Sequence, residues 1–482
     1  MDHALPPNPY LEGLFAPVIE ENTATELKVV GELPRELRGM YVQNSPNPRY
    51  EPLGFYHWFD GDGMVHGVEL RDGKATYRNR YVRTRAFDKE SGEGRALSTG
   101  IMMPFDPKRP GEADKDTANT DLVWHGGRLL ALWWLGGQPY ALSVPDLETQ
   151  GPVDFGGTLT SGIAAHPKVD PLTGEMMFFD YSLYAAPYLR YGVASKEGLV
   201  THETVIDLPG PRLLHDIAIT KHYTLFMDFP MTWDREKLKL GKRRVRFHKD
   251  MAGRIGVLGR HAPGCEVRWF DIPSCYSYHT VNAWEQVNSA GEEEVVMLAC
   301  RIEDPMPRVP IAEEPEVPRL SFLRLEPYLT RWTLNLTNGR VVEERLDDAP
   351  TEFPRINEDY LGAKSSFSYN PRLARESTLL FDAIVKYDTD TGASTTFEHG
   401  PGRFASESTF APREGASAED EGWLVHFVHD RREGTSELAV LDARDIAGGP
   451  VATVQIPCRV PVGFHAHWVP GEGLTQSLRS VS

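Results

Sequence analysis

Residues 164–176 read AAHPKVDPLTGEM, with His166 at the mouth of a turn-rich window. Three further windows share this character: LLHDIAIT around His215, SYHTVNAWE around His279, and VGFHAHWVP around His465. The four histidines are 49, 64 and 186 positions apart, so no single helix or loop could gather them. A fold that returns distant segments to one axis could. A metal held by four neutral imidazoles, with no carboxylate or thiolate ligand, suits iron(II) that keeps positions open for dioxygen. The rest of the chain is weighed against that expectation.

Strand-like runs recur almost from end to end, punctuated by turns. GVELRDGKATYRNRYV (67–82), GRLLALWWLGGQPYALSV (127–144), TLFMDFP (224–230), EEVVMLACRI (293–302) and GWLVHFVHD (422–430) show the alternation and the β-branched or aromatic content of strands. One pattern repeats: Arg190-Tyr191 leads to Gly198, Arg331-Trp332 to Gly339, and Lys386-Tyr387 to Gly392. Each is a cation and an aromatic in a short strand, then a turn ending in glycine. Such hairpins fit the outer strands of propeller blades, and also any other all-β fold. The Pro-rich, charged stretch from Arg301 to Pro318 reads as a loop between blades. No shift in composition divides the chain, so residues 1–482 read as a single domain.

The chain is long enough to bury a large core without staples. Its 51 basic and 69 acidic residues leave a net charge of −18, which argues against a nucleic-acid partner. The 43 glycines and 37 prolines favour many turns over long helices. Cys265, Cys275, Cys300 and Cys458 lack CxxC spacing and read as reduced thiols. The first ten residues, MDHALPPNPY, lack the charged and apolar regions of an export signal. No run approaches the length needed to span a bilayer. These features point to a cytoplasmic protein.

Most of the 16 histidines have bland readings. His125 beside Gly126-Gly127 reads as a turn residue, and His426 and His429 as strand positions. His3, His202, His222, His248, His261 and His399 lie in polar or loop-like surroundings. Four histidines picked from sixteen would alone mean little.

Their surroundings mean more. The four windows, together with FDGDGMVHG (59–67), resemble those of the carotenoid cleavage oxygenase family, which also contains lignostilbene and isoeugenol oxygenases. The similarity runs in order from GELPRELRGMYVQNSPNP (31–48) to GFHAHW (463–468). It implies an all-β, seven-bladed propeller, with loops and short helices capping the active-site face. It also implies iron(II) held by His166, His215, His279 and His465, with dioxygen as co-substrate. His467 shares a strand face with His465 and is the nearest competitor, but the family's ligand directly follows Gly-Phe. His57 and His66 flank a turn that is chiefly structural in the family.

Ligand imidazoles usually donate their other N–H to a carboxylate or carbonyl. Glu352 in EFPRIN and Glu407 in ESTFAPR match the glutamates that do this in the family. A third would stand just after the strand Leu129–Leu132, where this chain has Trp133-Trp134-Leu135; Trp134 takes the carboxylate's place. The family's stilbene-cleaving members grip a phenolic oxygen with a lysine and a tyrosine. Trp133 and the run Ile101-Met102-Met103 stand near those positions instead. A phenol buried without a partner costs on the order of 1–3 kcal/mol.

The resemblance therefore implies cleavage of a double bond in an apocarotenoid or related small apolar alkene, giving two carbonyl products. Side-chain cleavage of a phenylpropenoid or stilbene is the alternative, and a non-catalytic binding propeller is the reading from another class. A zinc hydrolase ranks lowest, because its sites mix ligand types. Phe59, Met102, Trp133 and Trp134 are candidates for the cleft wall, and equally for core packing. In MDFPMTWDREKLKLGKRRVRF (227–247), seven basic residues follow an aromatic stretch. It reads as a solvated loop or, less plainly, as a surface in peripheral contact with a membrane. The sequence is silent on oligomeric state.

Overall fold

The strand Ala466–Pro470 hydrogen-bonds antiparallel to Gly39–Pro46, so the two ends of the chain share one sheet. That sheet continues through Gly63–Arg71 and Lys74–Tyr81 to Thr23–Ala24. The computed structural model describes residues 8–108 and 115–474. His3 and both ends of the expected 1–482 domain lie outside these.

Four further sheets are four-stranded antiparallel meanders, beginning at Asp121–His125, Lys168–Val169, Ile217–Ile219 and Tyr276–Val287. The remaining strands form two small two-stranded sheets and one nine-stranded sheet in which Arg403–Ala405 bridges Phe381–Asp388 and Gly422–Asp430. Arg403–Ala405 thus joins two halves of the sheet, and the hydrogen bonding runs through. The first strands of neighbouring sheets pack against one another around a common axis. The chain is a β-propeller.

Burial explains why some strands were easier to read than others. Glu293–Ile302 and Gly422–Asp430 are buried on both faces, because a neighbouring sheet covers each side. The outer strand Lys74–Tyr81 instead alternates strictly between buried and half-exposed residues. The three repeated hairpins are outer pairs of their sheets: Leu189–Ala194 with Val200–Ile206, Pro327–Asn335 with Val341–Pro350, and Phe381–Asp388 with Ser394–Glu398. Gly198, Gly339 and Gly392 all take positive φ in their turns, where a side chain would be strained.

Two expectations need correction. The stretch from Arg301 to Pro318 lies within a sheet, between the adjacent strands Glu293–Ile302 and Pro327–Asn335, not between blades. An insertion there lengthens one hairpin without disturbing the packing of sheet on sheet. The basic stretch is not merely a loop either. Met231–Trp233 pairs with Val245–Phe247, and between them runs the helix Arg235–Lys239, capped by Asp234. It too is inserted between adjacent strands, Tyr223–Asp228 and Gly253–Gly259. The two insertions lie over the same end of the axis.

Four buried histidines outside the axis make stability depend on pH. Burial, with smaller contributions from nearby cations and histidines, lowers His66 and His399 to about 3 and His429 to about 4, and holds His426 well below its usual value. The unfolded chain binds protons below about pH 6.5, which the folded chain cannot do. Stability is therefore complete above that pH. It should fall on acidification by on the order of 1 kcal/mol per histidine for each pH unit, until the folded values are reached. Thermal unfolding between about pH 7.5 and pH 5 checks this, and a flat profile would contradict it.

Candidate metal centre

His166, His215, His279 and His465 meet on the propeller axis. One ring nitrogen from each lies within 4.8 Å of the others, and all four residues are buried. His215 Nε2 and His279 Nε2 are 3.2 Å apart. His215 stands just before the first strand of its sheet, His279 within Tyr276–Val287, and His465 just before Ala466–Pro470. His166 is held differently, at φ +70°, a conformation strained for a residue with a β-carbon. Asp121 secures it by accepting its backbone N–H at 2.9 Å. Strain of this kind persists only where the surroundings dictate it.

Two of the rings are hydrogen-bonded to carboxylates, and a third, His166, has its Nδ1 3.8 Å from Asp121. His279 Nδ1 lies 2.5 Å from Glu352, and His465 Nδ1 lies 3.1 Å from Glu407. With Nδ1–H donating outward, the Nε2 lone pair of each ring faces inward. Among the described hydrogen bonds, His215 has none to a carboxylate, and Trp134 stands close by on the same cleft wall. Burial, followed by repulsion from neighbouring imidazoles, holds His166, His215 and His279 well below the usual histidine range. All three are neutral at pH 7.

The two glutamates differ. Burial pushes Glu352 up to about 8, opposed chiefly by the Phe353 N–H. Burial would raise Glu407 as well, but the Arg355 guanidinium, 2.8 Å away, and His465 outweigh it and hold Glu407 at about 2. Arg355 lies three residues beyond Glu352, in the EFPRIN window. Nothing in its sequence position announced that it would pair with Glu407. Phe353, at φ +53°, sets its ring 5.0 Å from that of His279 and 4.4 Å from that of His465.

Two spaces approach the histidines from different directions. One is a small apolar cleft of about 60 Å³ lined by Phe59, Met102, Trp134, His215, Trp233 and Phe322, among others. The Phe59 ring lies tilted against Trp134 at 5.2 Å and edge-on to Phe464 at 4.9 Å. Trp133 lines a neighbouring cavity beside Asp60 and Ile101, so of the four cleft candidates it alone faces away. Sequence reasoning missed Trp233, Tyr278 and Phe322, of which only Tyr278 neighbours a candidate histidine. The second space is a cavity of about 310 Å³ along the axis, where charged side chains are set among apolar ones and His166, His279 and His465 are reached. His467 lines it 4.0 Å from Glu358 and stands outside the four-imidazole group. His57 caps a short turn by accepting the Phe59 N–H, and His66 bonds Tyr77.

A propeller with four buried imidazoles gathered at its axis defines a class of protein suited to hold a metal, and the wider comparisons narrow it. Residues 15–470 match the retinal pigment epithelial membrane protein (RPE65) family. The chain is 38% identical to carotenoid 9,10(9',10')-cleavage dioxygenase 1 of Arabidopsis thaliana, over 99% of this chain and 92% of that one. It is 31% identical to the isoeugenol monooxygenase of Pseudomonas nitroreducens, over 96% of this chain and 98% of that one. The crystal structure of the Pseudomonas brassicacearum lignostilbene dioxygenase superposes with a TM-score of 0.85 at 32% identity, covering 97% of this chain and all of that one. The chain belongs to the RPE65/carotenoid cleavage oxygenase family.

The Glu352–His279 contact yields a prediction. Replacing Glu352 with Gln keeps the shape but weakens the acceptor that orients the ring. Metal affinity should fall about ten- to a hundredfold. Competition between the protein and a chelator for cobalt measures this, and an unchanged affinity would remove the role assigned to Glu352.

Proposed function

We propose that the protein is an iron(II)-dependent dioxygenase that cleaves a carbon–carbon double bond of an apocarotenoid or related small apolar alkene to two carbonyl products. The observation that carries this reading is the convergence of His166, His215, His279 and His465 beside an aromatic cleft. The donor set fits the metal. His166 Nε2 is buried with no hydrogen-bond partner among the described residues, and the rings of His166, His215 and His279 are neutral, so lone pairs are free to bind a cation. When bound, iron(II) in such a set supplies activation of dioxygen at open positions.

The rest falls to the protein. Glu352 and Glu407 hold two of the rings in orientation. Phe59, Met102, Trp134 and Phe322 provide walls against which an extended alkene lies flat, and their apolar surface excludes water from the reacting carbons. No acid–base pair is required of the side chains.

A second reading has support in the same cleft. The Tyr278 hydroxyl and the indole N–H groups of Trp134 and Trp233 are buried and lack partners. An oxygen on the substrate would satisfy one of them, which favours an apocarotenoid bearing a carbonyl, or a phenylpropenoid or stilbene gripped in a new way. A non-catalytic propeller that merely binds such a molecule would need no metal. We further read residues 1–482 as one domain acting without nucleic acid. The unpaired cysteines support a cytoplasmic location. No helix among the described residues is long and apolar enough to cross a membrane. Peripheral contact has support in Leu240, which is 67% exposed beside the basic helix.

Metal analysis of anaerobically purified wild type and His279→Ala, followed by oxygen uptake with an apocarotenoid and with isoeugenol, tests the proposal. About one iron per chain should be found, lost in the variant, with uptake on one substrate. A chain that holds no iron after reconstitution, and consumes no oxygen, would leave the binding propeller standing.

A further inference from the structure

The axial cavity, with charged side chains along its wall, has no part in the reaction proposed above, yet it ends on three of the four histidines. Its walls come from the first strands of the sheets and from the segment 354–361. They carry five carboxylates, Asp121, Asp216, Glu358, Asp359 and Glu407, against two cations, Lys168 and Arg355. The deep carboxylates are already engaged. Asp216 bonds Lys168 at 2.7 Å and accepts from Thr280, and Asp121 accepts the N–H groups of Leu122 and His166. Arg355 is spent on Glu407 and Glu358. What remains toward solvent is negative: Glu358 is half-exposed, with its other oxygen near His467, and Asp359 stands beside it.

The cleft on the other approach has the opposite character. It is a fifth of the volume and walled by aromatic rings, with Arg243 and Arg244 among its lining. A hydrated dication moving that way would lose its water against apolar surface and face like charge. Stripping a small ion of water without compensation costs several kcal/mol even in a relaxed protein site. The axial cavity offers oxygen atoms along its length and a field of the attracting sign. At its inner end His166 Nε2 is buried and unpartnered, an acceptor with nothing to accept.

We infer that the axial cavity is the route by which the metal ion reaches the four histidines, with Glu358 and Asp359 as its outer gathering pair. This rests on the metal-centre reading above. Substrate and metal thus approach from separate directions, so the apolar cleft is free to be dry.

Uptake of cobalt(II) by full-length protein stripped with a chelator tests this. Absorbance of bound cobalt is followed in time, and final metal content is measured. In the double variant Glu358→Gln/Asp359→Asn, uptake at low salt should slow about tenfold and lose most of its dependence on ionic strength. Its final cobalt content should equal that of the wild type. Arg244→Glu, at the cleft, should leave the rate unchanged. Circular dichroism of each stripped protein confirms that it is folded. Equal rates in wild type and the double variant, or faster uptake in Arg244→Glu alone, would overturn the inference and leave the metal centre intact. A wild type that takes up no cobalt would instead overturn the metal-centre reading, and the route with it.

Discussion

Ala466–Pro470 must pair with Gly39–Pro46 for the ring of sheets to close, and His465 lies immediately before that strand. The other three histidines belong to sheets that could form from local meanders. Only closure brings the fourth ring to them across 186 positions. The same pairing seats Phe464 against Phe59, which builds part of the cleft wall. Metal site, cleft and axial cavity all depend on one antiparallel register.

Around that constraint the two sides of the centre differ in charge. One side packs aromatic rings from the N-terminal region and both insertions over His215. The other leaves a passage with charged side chains to His166, His279 and His465. The glutamates reflect the division. Glu407 shares Arg355 with the charged side and stays ionised, whereas Glu352 has no lysine or arginine partner among the described residues and is pushed up by burial. Two chemically identical side chains with the same task thus answer to different surroundings.

Much of this was legible in the sequence, for reasons that can be named. The outer hairpins could be read because half-exposed strands must alternate and their turns need glycine at positive φ, as at Gly198, Gly339 and Gly392. The four histidines stood out through their windows, and Glu352 and Glu407 through family resemblance. The stretch from Arg301 to Pro318 was misplaced because a lengthened hairpin and a link between blades have the same composition. Trp133 and Trp134 could not be told apart, since adjacent residues at a strand end face opposite ways and both are apolar. The link from Arg355 to Glu407 spans 52 positions and has no local signature. The axial cavity is a property of the assembled ring and of no single segment.

The closing strand also sets an order of events during synthesis. While residues 464–470 are still inside the ribosome, His166, His215 and His279 can already be folded into their own sheets, but Phe464 and His465 are absent and the ring is open. Such a nascent chain has three imidazoles, an incomplete wall and an unpaired edge at Gly39–Pro46. It can acquire neither a finished metal site nor a sealed cleft until residues 464–470 have emerged and paired. Maturation of the site is therefore tied to that one segment, and a ribosome that stalls before that point leaves behind an exposed strand looking for a partner.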